Sequence, residues 1–222
     1  MKKLVFTVLL AVLGFTTNVF AQENNEDRIS AFVRGGASIS SYYDSGSDGS
    51  NIRLGYNAGV GVMLPLRSKG LLTHIQSSLL LVSKGAKSEE LGVKTTVEQV
   101  YAQIPIQFVH KFSDGDDTGA SIAFGPYIAY GLWGDCTVEQ RVGGMSSATA
   151  SVSIDTFGDE LKIDRFDVGL TLTFKFDFEK FLVGMDVDLG LANIGSERAI
   201  NHWDTMKYPK NVSGSLYVGY RF

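Results

Sequence analysis

Apolar and polar positions alternate along most of this chain. From 52 to 66 one face reads Ile52, Leu54, Tyr56, Ala58, Val60, Val62, Leu64 and Leu66, against Arg53, Gly55, Asn57, Gly59, Gly61, Met63 and Pro65. From 166 to 178, Phe166, Val168, Leu170, Leu172, Phe174, Phe176 and Phe178 alternate with Asp167, Gly169, Thr171, Thr173, Lys175 and Asp177. A period of two is the signature of strands with one face in an apolar environment. Applied throughout, it predicts eight strands, at 30–40, 52–66, 71–83, 98–112, 119–133, 164–178, 181–192 and 211–222. The third is the weakest, because Leu80 and Val82 blur its alternation.

The connections between these strands fall into two classes. Those at 41–51, 84–97, 134–163 and 193–210 are long and polar, and those at 67–70, 113–118 and 179–180 are short. An even strand number with long and short connections in alternation predicts an eight-stranded antiparallel up-and-down transmembrane β-barrel, with short periplasmic turns and long outer loops.

A soluble ligand-binding barrel would also alternate, so the chemistry of the less apolar face decides between the two. That face carries Arg34, Arg53, Gln103, Gln107, Asp167, Lys175, Asp177, Asp186, Asp188 and Arg221, with many glycines. Such a set makes a poor apolar cavity and a good hydrogen-bonded lumen, which turns the apolar face towards lipid. Aromatics gather at the strand ends: Phe108, Phe112, Phe176, Phe178, Phe181, Tyr220 and Phe222 at the short turns, and Tyr56, Tyr130 and Phe166 at the long loops. Rings of this kind favour membrane–water interfaces. The chain stops within its last strand, a costly free edge unless that strand pairs with the first. Its terminal Phe222, with Tyr220 two positions before, resembles the signal by which barrel-assembly machinery recognises its clients.

The N-terminus reads as a processing signal. Lys2 and Lys3 precede an apolar stretch from Leu4 to Phe15, and Val19 and Ala21 are small residues in a cleavage pattern. The expected organisation is a cleaved signal peptide over 1–21 and one barrel domain over 22–222. No later run is long and apolar enough for a spanning helix. The 20 Lys and Arg nearly balance the 24 Asp and Glu, and no basic run suggests nucleic acid. Cys136 is the only cysteine, which excludes an internal disulfide and a cysteine zinc site.

Several stretches resemble the PorT-like, porin-family outer-membrane β-barrel domains. They are Gly55-Tyr-Asn-Ala-Gly-Val-Gly-Val-Met-Leu-Pro-Leu66, Ser83-Lys-Gly-Ala-Lys87, Tyr101-Ala-Gln-Ile-Pro-Ile106, Phe124-Gly-Pro-Tyr127, Phe157-Gly-Asp-Glu-Leu-Lys162, Arg165-Phe-Asp-Val-Gly169 and Gly219-Tyr-Arg-Phe222. They occur in order over nearly the whole mature chain. The resemblance implies an eight-stranded barrel of the Gram-negative outer membrane and no common activity, although a founding member is tied to protein secretion.

If Glu179-Lys180 is a two-residue turn, Phe178 faces Phe181, Thr173 faces Asp186, and Lys175 lies diagonal to Asp186. Lys175, Asp186 and Asp188, with Arg34 or Arg53 from other strands, are expected to form a lumen ion network. A barrel of eight strands is just wide enough for side chains to fill it, so the lumen should be plugged. Catalysis is not expected: His74, His110 and His202 are the only histidines, and no nucleophile elbow accompanies them. Nor is a cofactor or metal, since the acidic stretches at 44–49 and 114–117 lack a calcium-loop spacing and read as turns. The leading expectation is envelope structure, or binding of an extracellular or envelope ligand through the outer loops; the alternatives are a small pore or a secretion or transport accessory, and then an outer-membrane lipid-modifying enzyme. Outer-membrane lipid and the assembly machinery are the other expected partners. Residues 134–163 are long for a structureless loop. Ala148, Ala150, Val152 and Ile154 alternate within it, which suggests strands continuing above the membrane.

Overall fold

The computed structural model describes residues 29–43, 51–66, 73–90, 93–112, 118–142, 148–159, 161, 163–195 and 209–222. The signal-peptide segment, the acidic stretches and His202 lie outside them. Nine strands follow in order: β1 (Ser30–Tyr43), β2 (Arg53–Pro65), β3 (His74–Glu90), β4 (Val93–Lys111), β5 (Thr118–Val142), β6 (Ala148–Asp155), β7 (Phe166–Phe178), β8 (Phe181–Gly190) and β9 (Lys210–Arg221).

Eight of them close a ring in the order β4-β3-β2-β1-β9-β8-β7-β5, and β4 pairs with β5 to complete it. The last strand meets the first from Phe32↔Arg221 to Tyr43↔Lys210, which removes the free edge that a terminal strand would leave. The turn between β7 and β8 is two residues long. Phe178 faces Phe181 and Thr173 faces Asp186 across it, and Glu179 takes a left-handed φ of 52°.

The face assignment follows the pattern. Leu54, Phe124, Leu170, Val183 and Leu216 are exposed on the outside of the ring, whereas Arg34, Gln103, Asp167, Lys175, Asp186 and Asp188 are buried within it. An apolar exterior around a charged interior is stable in a bilayer and would be unstable in water. At β3 the blurred alternation has a cause. Leu80 and Val82 point inward and are 2% exposed, while the outward positions Leu79 and Leu81 are apolar as well.

Two of the long loops are corrected. Residues 84–97 are not a loop: β3 and β4 continue as a paired hairpin to Glu90↔Val93. Residues 134–163 contain the continuation of β5 and the whole of β6, paired from Asp135↔Asp155 to Val142↔Ala148. Both segments leave the lipid zone, so both of their faces can be polar. Apolar alternation is lost over 84–97 and most of 134–163, and survives at Ala148, Ala150, Val152 and Ile154, where it marked β6. A register shift between Val100 and Tyr101 marks where the sheet departs from the barrel wall.

The apolar core is small and split. Phe32, Leu182 and Tyr217 cluster at the short-turn end of the lumen. At the long-loop end, Tyr101, Tyr127, Ala129 and Phe157 form one cluster and Tyr42, Ala86 and Ile194 another, with Ile163 touching both.

Candidate functional site in the lumen and at its mouth

The inward face of each strand contributes to a stack of polar layers. At the short-turn end, Lys175 Nζ donates to Gln76 Oε1 at 3.1 Å and lies 3.9 Å from Asp177, which Arg221 also approaches at 4.0 Å. In the next layer Arg34 Nη2 donates to Asp186 Oδ2 at 2.5 Å, and its guanidinium sits 4.0 Å over the Tyr217 ring. Thr173 donates to the other oxygen of Asp186 at 2.7 Å and accepts from Gln107 at 2.6 Å. Gln107 in turn accepts from Gln76 at 3.3 Å. Lys175 and Asp186 are thus joined through a relay of Gln76, Gln107 and Thr173.

Further towards the loops, Asp188 accepts from Gln103 Nε2 at 3.0 Å and Ser213 Oγ at 3.3 Å. Both donors are neutral. Above it Asp167 Oδ2 accepts from Lys84 Nζ at 3.2 Å, Tyr127 Oη at 3.1 Å and Asn211 Nδ2 at 2.9 Å. The Lys84 ammonium also lies 4.4 Å over the Tyr127 ring. At the mouth Arg53 pairs with Glu98 at 2.7 Å and donates to Ser83 Oγ at 2.8 Å.

The expected network is therefore divided differently. Arg34 meets Asp186, but Lys175 does not. Gly184 stands opposite Lys175 on β8, so its long side chain crosses the lumen to β3. Asp188 joins neither cation, and Arg53 belongs to a separate pair at the mouth. The pattern missed Lys84, because it assigned this residue to a loop, and placed Asp167 on the lumen face without including it in the network. A signal existed. The stretches beginning Ser83-Lys, Tyr101-Ala, Phe124-Gly and Arg165-Phe, widely spaced in sequence, supply Lys84, Tyr101, Tyr127 and Asp167 to one place.

This place is roofed by the segment after β6. Phe157 is buried edge-on against Tyr101, with ring centres 5.9 Å apart, and Arg165 stacks 4.8 Å over its other side. Arg165 Nη1 also donates to the carbonyls of Gly131 and Leu132 at 2.9 and 3.3 Å. Only glycine fits at 131, since a Cβ there would lie 2.3 Å from the Phe157 ring. Ile163 packs against the same cluster, and Leu161 and Ile194 are buried as well. The stretch of the resemblance that begins at Phe157 thus provides the lid of the charged site.

The two described histidines lie elsewhere. His74 contacts Thr73 at the short-turn end of β3, and His110 meets Phe112 edge-on at the short-turn end of β4. Among the described residues no group of His, Cys, Asp and Glu is arranged to hold a metal. Cys136 is buried in the extension of β5, and that burial raises its thiol pKa. Tyr220 packs edge-on with Phe222 at 5.4 Å and with Phe181 at 5.6 Å, while the Phe222 amide donates to the carbonyl of Ala31 on the first strand.

A closed ring with an apolar exterior and a filled, charged lumen describes an architecture, and the comparisons place it. The model of the outer membrane protein β-barrel domain matches residues 20–195. The chain belongs to that family. It is accordingly a protein of the Gram-negative outer membrane. Solved structures similar to this outer-membrane barrel include Ail, the attachment invasion locus protein of Yersinia pestis, in complex with the heparin analogue sucrose octasulfate. It is 12% identical, with 88% of this chain and 99% of that chain covered and a TM-score of 0.42. Neisserial surface protein A is 10% identical, covering 86% and 95%, with a TM-score of 0.40. A major outer membrane protein of Thermus thermophilus is 12% identical, covering 88% and 100%, with a TM-score of 0.46. No curated protein matches the sequence.

Proposed function

We propose that this outer-membrane barrel binds an extended polypeptide segment of an extracellular or envelope partner along β6, with the plugged lumen as a rigid base. The carrying observation is the edge of β6. β5 pairs with β7 only as far as Tyr130, then runs on to Val142. At about 3.3 Å per residue, that continuation is on the order of 40 Å long. β6 pairs with β5 on one side, and its other side meets no described strand. Ser151, Val152 and Ser153 are exposed. The strand contains neither proline nor lysine, two common guards of open edges. An unguarded edge offers a row of backbone donors and acceptors to an incoming strand.

The narrower PorT-like assignment rests on the sequence stretches that suggested it. It would favour a secretion or transport accessory, or a small pore. The ion pairs that fill the lumen support binding over conduction. The reading includes no catalysis. Outer-membrane lipid and the assembly machinery complete the partners, the latter through Tyr220 and Phe222.

A photo-crosslinking residue in place of Val152, in cells, tests the edge. A discrete adduct should form and should vanish in the Ser151→Lys/Ser153→Lys variant, which guards the edge without touching the barrel. An adduct that survives both lysines, or none under any growth condition, would remove β6 as the binding surface.

A further inference from the structure

We propose that the rim of the barrel at the long-loop end seats the headgroup of a phosphorylated, acylated sugar lipid of the outer leaflet. The proposal gives the outer-membrane lipid named above a site and a chemistry, rests on the outward orientation of that end, and does not depend on β6. A cavity of about 520 Å³ opens there between the ends of β5, β7 and β8. Its walls differ in chemistry. Tyr130 and Phe166 face each other in register, are the last outward aromatics of β5 and β7, and are 54% and 56% exposed. They belong to the lipid-facing surface. The remaining wall carries Asp164, Arg165 and Asn193, in segments that have left it. Only an amphiphile positioned at the interface contacts both walls.

Arg165 is built for an anion. Its Nη1 is held by two backbone carbonyls and its plane rests on Phe157, so the side chain is already ordered. These contacts leave Nε and Nη2 unused by the described residues. An edge of the guanidinium fixed in this way matches a phosphate group, and little side-chain entropy remains to be lost on binding. Asp164 and Asn193 lie beside it. The Asp164 carboxylate suits hydroxyl and amide donors of a sugar and disfavours a bare polyphosphate, while Asn193, whose Oδ1 accepts from the Gly195 amide at 2.9 Å, keeps its amide donors for sugar oxygens. The aromatic pair takes the first part of the acyl chains.

The test is native mass spectrometry of the refolded full chain in detergent, titrated with diphosphoryl lipid A. Its dephosphorylated form, phosphatidylethanolamine and the deacylated phosphorylated disaccharide serve as comparisons. Lipid A should be retained with a preference of about tenfold or more over each of the three, a difference that such titrations resolve. Arg165→Gln should remove that preference. Ala192→Trp, which fills the cavity and leaves Arg165 untouched, should weaken lipid A binding to a similar degree. Should Arg165→Gln fail to fold, Ala192→Trp decides alone. Equal binding of phosphatidylethanolamine would overturn the proposal, as would equal binding of the deacylated disaccharide, or folded variants that hold lipid A like the parent.

Discussion

Lys84 Nζ lies 3.2 Å from Asp167 Oδ2, with both side chains completely withdrawn from solvent. Neither charge has water to turn to when the other is removed. Asp167→Ala should therefore destabilise the refolded barrel by about 3–5 kcal/mol in denaturant titrations, the usual cost of leaving one member of a buried pair alone. The double variant Lys84→Met/Asp167→Leu removes both charges and should recover most of that loss. A single variant within about 1 kcal/mol of the parent would mean that solvent reaches the pair.

The lumen should not conduct. Arg34, Lys84 and Lys175 reach across it to partners on other strands, and each is at most 5% exposed. Planar-bilayer recordings of the purified protein should show no stable open state. Large, long-lived conductance steps would contradict a plugged barrel.

Phe157 occupies space that only Gly131 leaves free. Gly131→Leu should expel the ring and expose the segment around Phe157 to protease, while the barrel below keeps its heat-dependent gel mobility. Unchanged proteolysis would show that the lid rests on other contacts.

Cys136 should be a slow thiol. Burial raises its pKa, so maleimide labelling at neutral pH should lag well behind that of the unfolded chain and accelerate only as pH passes the ordinary thiol range. The linkage has one sign. The folded state holds the proton more tightly, so this contribution is present in full below the unfolded thiol's pKa and is lost as pH rises through the raised value. Labelling as fast as that of a small free thiol at pH 7 would place Cys136 in solvent.

The sequence alone determined the barrel. Lipid imposes a strict demand at every second residue, and that demand repeats in 52–66, 166–178 and 181–192 plainly enough to count strands, locate the turn at Glu179-Lys180 and assign the inner face. It determined most of the charges that enter the lumen, because a charged inward residue is visible wherever the outward neighbours are apolar. It did not determine which charges meet. Arg34 finds Asp186 from 152 positions away, and Lys175 passes Asp186 to reach Gln76. Pairing across a closed ring depends on register and stagger between strands that are not neighbours in sequence. Nor did it reveal Lys84 as a lumen residue or how β6 pairs, although the alternation at 148–154 suggested a strand there. Both belong to stretches where the sheet has left the membrane and alternation carries no penalty. There the backbone ladder carries much of the pairing, and only the tertiary structure shows where that ladder ends and its open edge begins.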